Sequence, residues 1–298
     1  MKDLIKACRP KQWTKNLLVF AAPFFSFTNS FENWFSSFIC FISFCLVSSS
    51  IYLINDIIDI NSDKRHPYKK YRPIASGRIS INKAIISSVI IFALSLSIAF
   101  SINNISAYII IIYFLVQIVY CIRLKNEPIL DIFCISSGFL LRAIAGVKSS
   151  NLDFSPWFLL SVGLLALFLA IEKRKAELHH VKDMNIQTRK SLNRYSLSLL
   201  NRAESIVSTS AFMSYSLWAV GHTINGSTKG SMIISIPFVL LGIFRYQLIT
   251  DLKERKRREI YNPDVNPEKP EEIFLSDKGI LLSIFGWLLS IAYIGFLK

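Results

Sequence analysis

The chain has 298 residues, 52% of them apolar and only 18% charged, with a net charge of +14 and a mean hydropathy of +0.42. So much apolar mass, with 23 Phe and 5 Trp, excludes a disordered chain, a collagen and a coiled coil, and the charged share falls below the ~25% of ordinary globular domains. The five cysteines, Cys8, Cys40, Cys45, Cys121 and Cys134, include no CxxC pair, which excludes a disulfide scaffold and a zinc or redox motif; they read as buried reduced thiols.

Apolar residues are gathered into nine blocks and the charges fall in the gaps, the pattern a hydrocarbon core imposes on spanning helices. In chain order the predicted spans are 14–29, 33–56, 83–102, 105–122, 128–147, 155–172, 204–222, 231–249 and 279–297. The first is the weakest, because its strongly apolar part, Leu17 to Phe27, is as short as a signal-peptide core, although no A-x-A site follows it. The expected fold class is an all-α integral membrane protein with nine transmembrane helices in one polytopic domain, 1–298, joined on one side by connections 57–82, 123–127, 173–203 and 250–278.

Basic residues give an independent reading of topology, since loops rich in Lys and Arg stay cytoplasmic. Of the 34, 30 fall in 1–15, 57–83, 123–127, 173–202 and 245–278, whereas the opposite connections hold only Lys148, Lys229 and Lys298, and Arg142 lies inside a span. The N-terminus is therefore expected in the cytoplasm and the C-terminus outside, in a cell membrane. A positive face suits membrane lipid headgroups or an anionic substrate better than nucleic acid. The run Lys253 to Arg258 reads as a solvated face or a headgroup anchor.

The cytoplasmic connections hold almost all the polar sequence. In the first, Asp56, Asp59 and Asp63 stand at i, i+3 and i+7, within about 60° of one another on a helical face at 100° per residue. Three carboxylates at the negative end of a helix dipole repel one another unless a cation neutralises them. An oxygen-only set with Asn55 assisting favours Mg²⁺, which also takes substrate phosphates. Pro67 ends the helix, and Lys69, Lys70, Arg72 and Arg78 follow as candidate phosphate contacts. His66 either belongs to this site or caps the helix. Arg142 costs about 2.5–3.5 kcal/mol inside a span, so it faces a partner or an aqueous cavity. Asp131 is a candidate, but 11 residues is about 16 Å along one helix, too far for direct pairing within it. His179-His180 reads as a solvated loop, and Gly221 to Ser227 lacks the lysine of a phosphate-binding loop.

The combination NDxxDxxxD (Asn55 to Asp63) followed by HPxKxxRP (His66 to Pro73) resembles the UbiA superfamily of intramembrane prenyltransferases, and within it the branch that transfers phosphoribosyl to decaprenyl phosphate. The resemblance extends along the chain. Arg9-Pro10-Lys11-Gln12-Trp13-Thr14-Lys15-Asn16 is similar to that branch's RPxQWxKN opening. Tyr120, Leu124, Lys125, Asp131 and Gly138 to Gly146 are similar to its YSxxLK…D…GFxLRAxAG stretch, with Cys121 where Ser is usual. Lys173-Arg174-Lys175-Ala176-Glu177-Leu178 resembles its KRxxEL motif. Members that use prenyl diphosphates generally carry a second Asp-rich motif here, which this chain lacks.

The resemblance implies a UbiA-like bundle of nine helices with a cytoplasmic-facing active site. It also implies transfer of 5-phosphoribosyl from phosphoribosyl diphosphate (PRPP) to a polyprenyl phosphate, for cell-envelope glycan precursors. Asp56, Asp59 and Asp63, with Asn55, would hold Mg²⁺; Arg72 and Lys173 would join them in catalysis. Lys15, Asn55, His66, Lys69, Arg72, Tyr120, Lys125, Asp131, Arg142, Lys173, Arg174 and Glu177 would bind substrate. A homo-oligomer is compatible with this reading. The alternatives are a prenyltransferase joining a prenyl diphosphate to an aromatic or lipid acceptor, and a nonenzymatic transporter, for which charges along a midplane path are expected and only Arg142 qualifies.

Overall fold

A backbone in hydrocarbon has no water to bond and must satisfy its own N–H and C=O groups, so long apolar blocks fold as helices. The computed structural model describes residues 2–66, 68–153, 155–184, 191–221, 230–251 and 276–296, and all regular structure among them is helical. The chain divides into two compact units, Met1–Phe154 and Ser155–Lys298.

The first unit opens with α1 (Lys2–Ala7), a 3-10 segment (Pro10–Phe20) and α2 (Ala21–Phe25). Then come α3 (Phe31–Ile58), α4 (Ile60–Arg65), α5 (Ile81–Ile102), α6 (Asn104–Ile122) and α7 (Leu130–Ser149). Asn103 alone separates α5 from α6; its side chain accepts from the Ser106 N–H at 2.7 Å and so caps the second helix. The long α3 packs against α5, α6, α7 and the 3-10 segment. Small serines bring α3 and α5 close. Ser43 and Ser95 each donate to the other's backbone carbonyl at 2.8 Å, and Ser50 and Ser88 do the same at 2.9 and 3.2 Å, satisfying polar groups that lipid could not. Around them Val19, Phe44, Val47, Ile51, Ile110, Tyr113 and Ala145 form the core. The 3-10 segment lies against α7 at Gly146, where any Cβ would run into the Val19 carbonyl.

The second unit contains α8 (Pro156–Met184), α9 (Leu197–Gly221), α10 (Ile236–Thr250) and α11 (Lys278–Phe296). Helix α8 pairs with α9 and α10 with α11. The Trp287 indole donates to the Tyr215 hydroxyl at 2.8 Å, and the Arg245 guanidinium holds Asp277 through two bonds of 2.9 and 3.0 Å.

Seven of the described helices are long and apolar enough to cross a membrane, the first being Phe31–Ile58 and the last Lys278–Gly295. They coincide with seven of the nine expected spans. Expected span 14–29 is instead the 3-10 segment leading into α2, and span 204–222 is the C-terminal part of α9, whose early turns carry Asn201, Arg202 and Glu204. Connection 173–203 is not a loop in its first part, because α8 continues to Met184; His179 and His180 therefore fall in a helix. Four cysteines are buried and Cys134 is half-buried. The run Lys253 to Arg258, most of 250–278, Pro67 and the residues after Gly221 up to Ser227 lie outside the described residues.

Candidate active site

The acidic motif lies where α3 gives way to α4. Asp59, at φ −89° and ψ 5°, interrupts the helix, although its N–H still bonds the Asn55 carbonyl at 2.9 Å and its own carbonyl accepts from the Asp63 N–H at 2.8 Å. The three carboxylates are met by different cations. Asp56 and Asp63 are gathered by one guanidinium nitrogen, Arg72 Nη1, at 3.2 and 2.6 Å. Asp59 is held apart by Lys125 Nζ at 2.5 Å. Among the described residues no three His, Cys, Asp or Glu side chains come together as a ready metal site.

Arg9 is the residue that sequence reasoning missed. Its Nη2 meets the same Asp56 Oδ1 that Arg72 reaches, and its guanidinium lies over the Tyr52 ring, 4.8 Å from the centroid. Three carboxylates thus pair with three cations. The side chains of Asp56 and Asp63 are only 2% and 4% exposed, whereas Arg9 and Arg72 are each 26% exposed, so these two arginines stand between buried carboxylates and solvent; in the third pair Lys125 is the more buried partner. Arg9, at φ 53° and ψ 61°, adopts the left-handed helical conformation, which costs a non-glycine residue about 1–2 kcal/mol, and Ile129, just before α7, also has a positive φ of 71°.

The other expected residues divide into several groups. Asn55 adds a side-chain hydrogen bond to Asp56, and Lys15 and Tyr120 are half-buried. His66 caps the end of α4 through its backbone, its N–H bonding the Asp63 carbonyl at 3.2 Å. Its Nδ1 accepts from the N–H groups of Tyr68 (3.2 Å) and Lys69 (3.4 Å), capping the following turn, and burial followed by the nearby Lys69 charge lowers its proton affinity. Arg78 is drawn away to Asp3 at 2.8 Å and the Tyr71 carbonyl at 2.6 Å. Asp131 is fully buried and accepts from the Ile132 N–H at 2.9 Å.

Arg142 is 5% exposed and bonds to Asn16 Oδ1 (2.7 Å), the Gly138 carbonyl (2.7 Å) and the Tyr113 hydroxyl (2.6 Å), with the Tyr113 ring 4.7 Å away. It therefore joins α7 to α6 and the 3-10 segment, and its partner is not Asp131.

In the second unit Lys173 is half-buried, and Arg174, 1% exposed, pairs with Glu177 one turn on. Lys175 bridges Glu172 (2.8 Å) and Glu204, and Gln247 Nε2 donates to the other oxygen of Glu204 at 2.8 Å. This network ties α8, α9 and α10 together. Its neighbours are invisible in a linear reading because Glu204 is 29 residues from Lys175.

The donor set of the first unit, carboxylates and an amide without sulfur or imidazole, fits a hard divalent cation. The chain is 35% identical over 97% of its length to decaprenyl-phosphate phosphoribosyltransferase of Mycolicibacterium smegmatis, covering 91% of that protein. It is 34% identical over 97% of its length to the Corynebacterium glutamicum protein of the same name, covering 85% of it. A solved UbiA homolog from Archaeoglobus fulgidus, bound to GPP and Mg²⁺, has the same fold with a TM-score of 0.70 at 17% identity over 99% of this chain and 98% of that one. The model of the UbiA prenyltransferase family matches residues 17–262. With carboxylates and cations interleaved at the end of α3 and the family's pattern spread over most of its length, the chain belongs to the UbiA prenyltransferase family.

Proposed function

We propose that this protein transfers 5-phosphoribosyl from PRPP to a polyprenyl phosphate, decaprenyl phosphate or a similar lipid, releasing diphosphate, in the synthesis of cell-envelope glycan precursors. The near full-length likeness to two phosphoribosyltransferases supports this choice of donor. The observation that carries the chemistry is the interleaving of Asp56, Asp59 and Asp63 with Arg9, Arg72 and Lys125. A polyanionic donor requires both charges: carboxylates for a cation and cations for phosphate oxygens.

Asp56 and Asp63, with Asn55 and Asp59, would hold Mg²⁺, which when bound orients and neutralises the leaving diphosphate. Arg72 and Lys69 grip donor phosphates, and Lys15, His66, Tyr120, Lys125 and Asp131 shape the surrounding polar pocket. In the second unit Lys173, Arg174 and Glu177 serve phosphate recognition, Glu177 by orienting Arg174. Departure from the anomeric carbon develops oxocarbenium character while the lipid phosphate attacks the opposite face. Phosphate monoesters have a second pKa of about 6, so the acceptor is largely ionised at neutral pH and needs no strong base. Positioning and electrostatics supply the rate.

The same reading places nine crossings in the bilayer. The 3-10 segment of 11 residues rises about 2.0 Å per residue and α2 adds five at about 1.5 Å, together about 30 Å, one hydrocarbon thickness. The 25 residues of α9 reach about 37 Å. The N-terminus and the acidic site then face the cytoplasm and the C-terminus the outside.

Because the Archaeoglobus homolog was solved with GPP and Mg²⁺, a prenyl diphosphate donor is the second reading. Purified protein in detergent with Mg²⁺ and polyprenyl phosphate is offered labelled PRPP in one reaction and, in another, labelled prenyl diphosphate with aromatic acceptors. Label passing from PRPP into lipid, abolished by EDTA, is expected. Prenyl transfer without ribosyl transfer would establish the second reading instead.

A further inference from the structure

Arg9 has no part in the scheme above, yet the structure gives it a costly backbone and a shared ligand atom. Its nitrogen and Arg72 Nη1 both meet Asp56 Oδ1, so that one oxygen is neutralised twice. Arg72 has a second carboxylate, Asp63, and Lys125 has Asp59, whereas among the described residues Asp56 is the one carboxylate that Arg9 meets. Arg9 is also a quarter exposed over a carboxylate that is almost fully buried, and the Tyr52 ring supports its guanidinium from below.

The charges of Arg9, Arg72 and Lys125 cancel those of Asp56, Asp59 and Asp63. A divalent cation that takes a carboxylate upsets this balance, and a donor phosphate restores it only if a guanidinium changes partner. We propose that Arg9 is an exchangeable counter-ion, a residue that neutralises Asp56 in the free protein and turns to a donor phosphate once a divalent cation occupies that carboxylate. The inference rests on the acidic cluster being the donor site. It assigns to Arg9 two effects of opposite sign: competition with the cation when no donor is present, and attraction of the donor when the cation is bound. A residue that merely held α1 and the 3-10 segment in place would give both effects the same sign.

The test uses Mn²⁺ as probe. Binding of Mn²⁺ to the full-length protein in detergent, without donor, is followed by electron paramagnetic resonance for wild type, Arg9→Gln, Arg9→Lys and Lys148→Gln; initial rates against PRPP are measured on the same preparations. In Arg9→Gln, Mn²⁺ is expected to bind several-fold more tightly, while KM for PRPP rises by about tenfold or more, the loss of one charged hydrogen bond. KM for polyprenyl phosphate stays unchanged. Arg9→Lys, which keeps the charge but loses the fork, is expected to bind Mn²⁺ near the wild-type value with an intermediate KM for PRPP. Lys148→Gln, in the last turn of α7 and outside the cluster, is expected to change neither.

Weaker binding of both Mn²⁺ and PRPP in Arg9→Gln, or no change in either, overturns the proposal. Should Arg9→Gln fail to fold, a wild-type KM for PRPP in Arg9→Lys overturns it equally. A wild type that binds Mn²⁺ but transfers no phosphoribosyl refutes the proposed reaction, and the Mn²⁺ comparison still decides whether Arg9 competes for Asp56.

Discussion

The two units each bury carboxylates against basic residues, but they arrange the counter-ions differently. In the first, Asp56 and Asp63 are buried and the arginines that neutralise them are 26% exposed, so solvent and solutes reach the cations. In the second, Lys175 sits between Glu172 and Glu204 with its side chain 15% exposed, and the carboxylates come from different helices. A cation placed between carboxylate and solvent can exchange its partner for a ligand, whereas one placed between helices is a tie. Charge type alone does not separate a site from an anchor; the position of the counter-ion does.

The comparison is broken most easily at Asp56. Asp56→Asn is expected to lower phosphoribosyl transfer by more than about 100-fold, the loss of several kcal/mol of charge stabilisation, with folded protein still recovered. Next, Lys175→Met leaves Glu172 and Glu204 facing each other without their cation. It is expected to cost about 3–5 kcal/mol of stability, seen as a lower melting temperature in detergent, with KM for PRPP unchanged. Loss of activity at an unchanged melting temperature would make this cluster a site rather than a tie.

Arg142→Gln sharpens the same distinction within the first unit. Removal of its bonds to Asn16, Gly138 and Tyr113 is expected to cost about 2 kcal/mol and to spare KM for PRPP; a raised KM in a fully stable protein would make Arg142 a substrate residue. The smallest effect is at His66. Its proton affinity is lowered in the folded protein from an ordinary value of 6.5, so the unfolded chain binds more protons there. The stability it contributes is present above that value and is lost as the pH falls through the lowered one. The melting temperature should decline on acidification below pH 6.5, and His66→Ala should flatten that decline.

Much of the fold is legible in the sequence because lipid imposes length and polarity on each span: 83–102 and 105–122 were delimited by the polar pair around Asn103, and the helices are Ile81–Ile102 and Asn104–Ile122. The 3-10 form of Pro10–Phe20 was not legible, since an apolar run reads alike at three and at 3.6 residues per turn. Lys173 to Glu177 read as a loop for their charge, yet they lie within α8, where Lys175 finds Glu204 of α9. The acidic motif was found by spacing, but the break at Asp59 and the contact of Arg9 with a residue 47 positions away are tertiary facts. Arg142 was expensive by sequence, and the neutral oxygens that solvate it, 29 and 126 residues distant, appear only in the fold.

On the proposed reading, the Asp56–Asp63 cluster binds the cation on which phosphoribosyl transfer depends. The most direct measurement is the rate of label transfer from PRPP to polyprenyl phosphate against added Mg²⁺, for wild type and Asp56→Asn side by side. The wild-type rate is expected to saturate with Mg²⁺ and vanish in EDTA, and a folded Asp56→Asn protein to stay inactive at every concentration. Transfer by Asp56→Asn at the wild-type rate would contradict that reading.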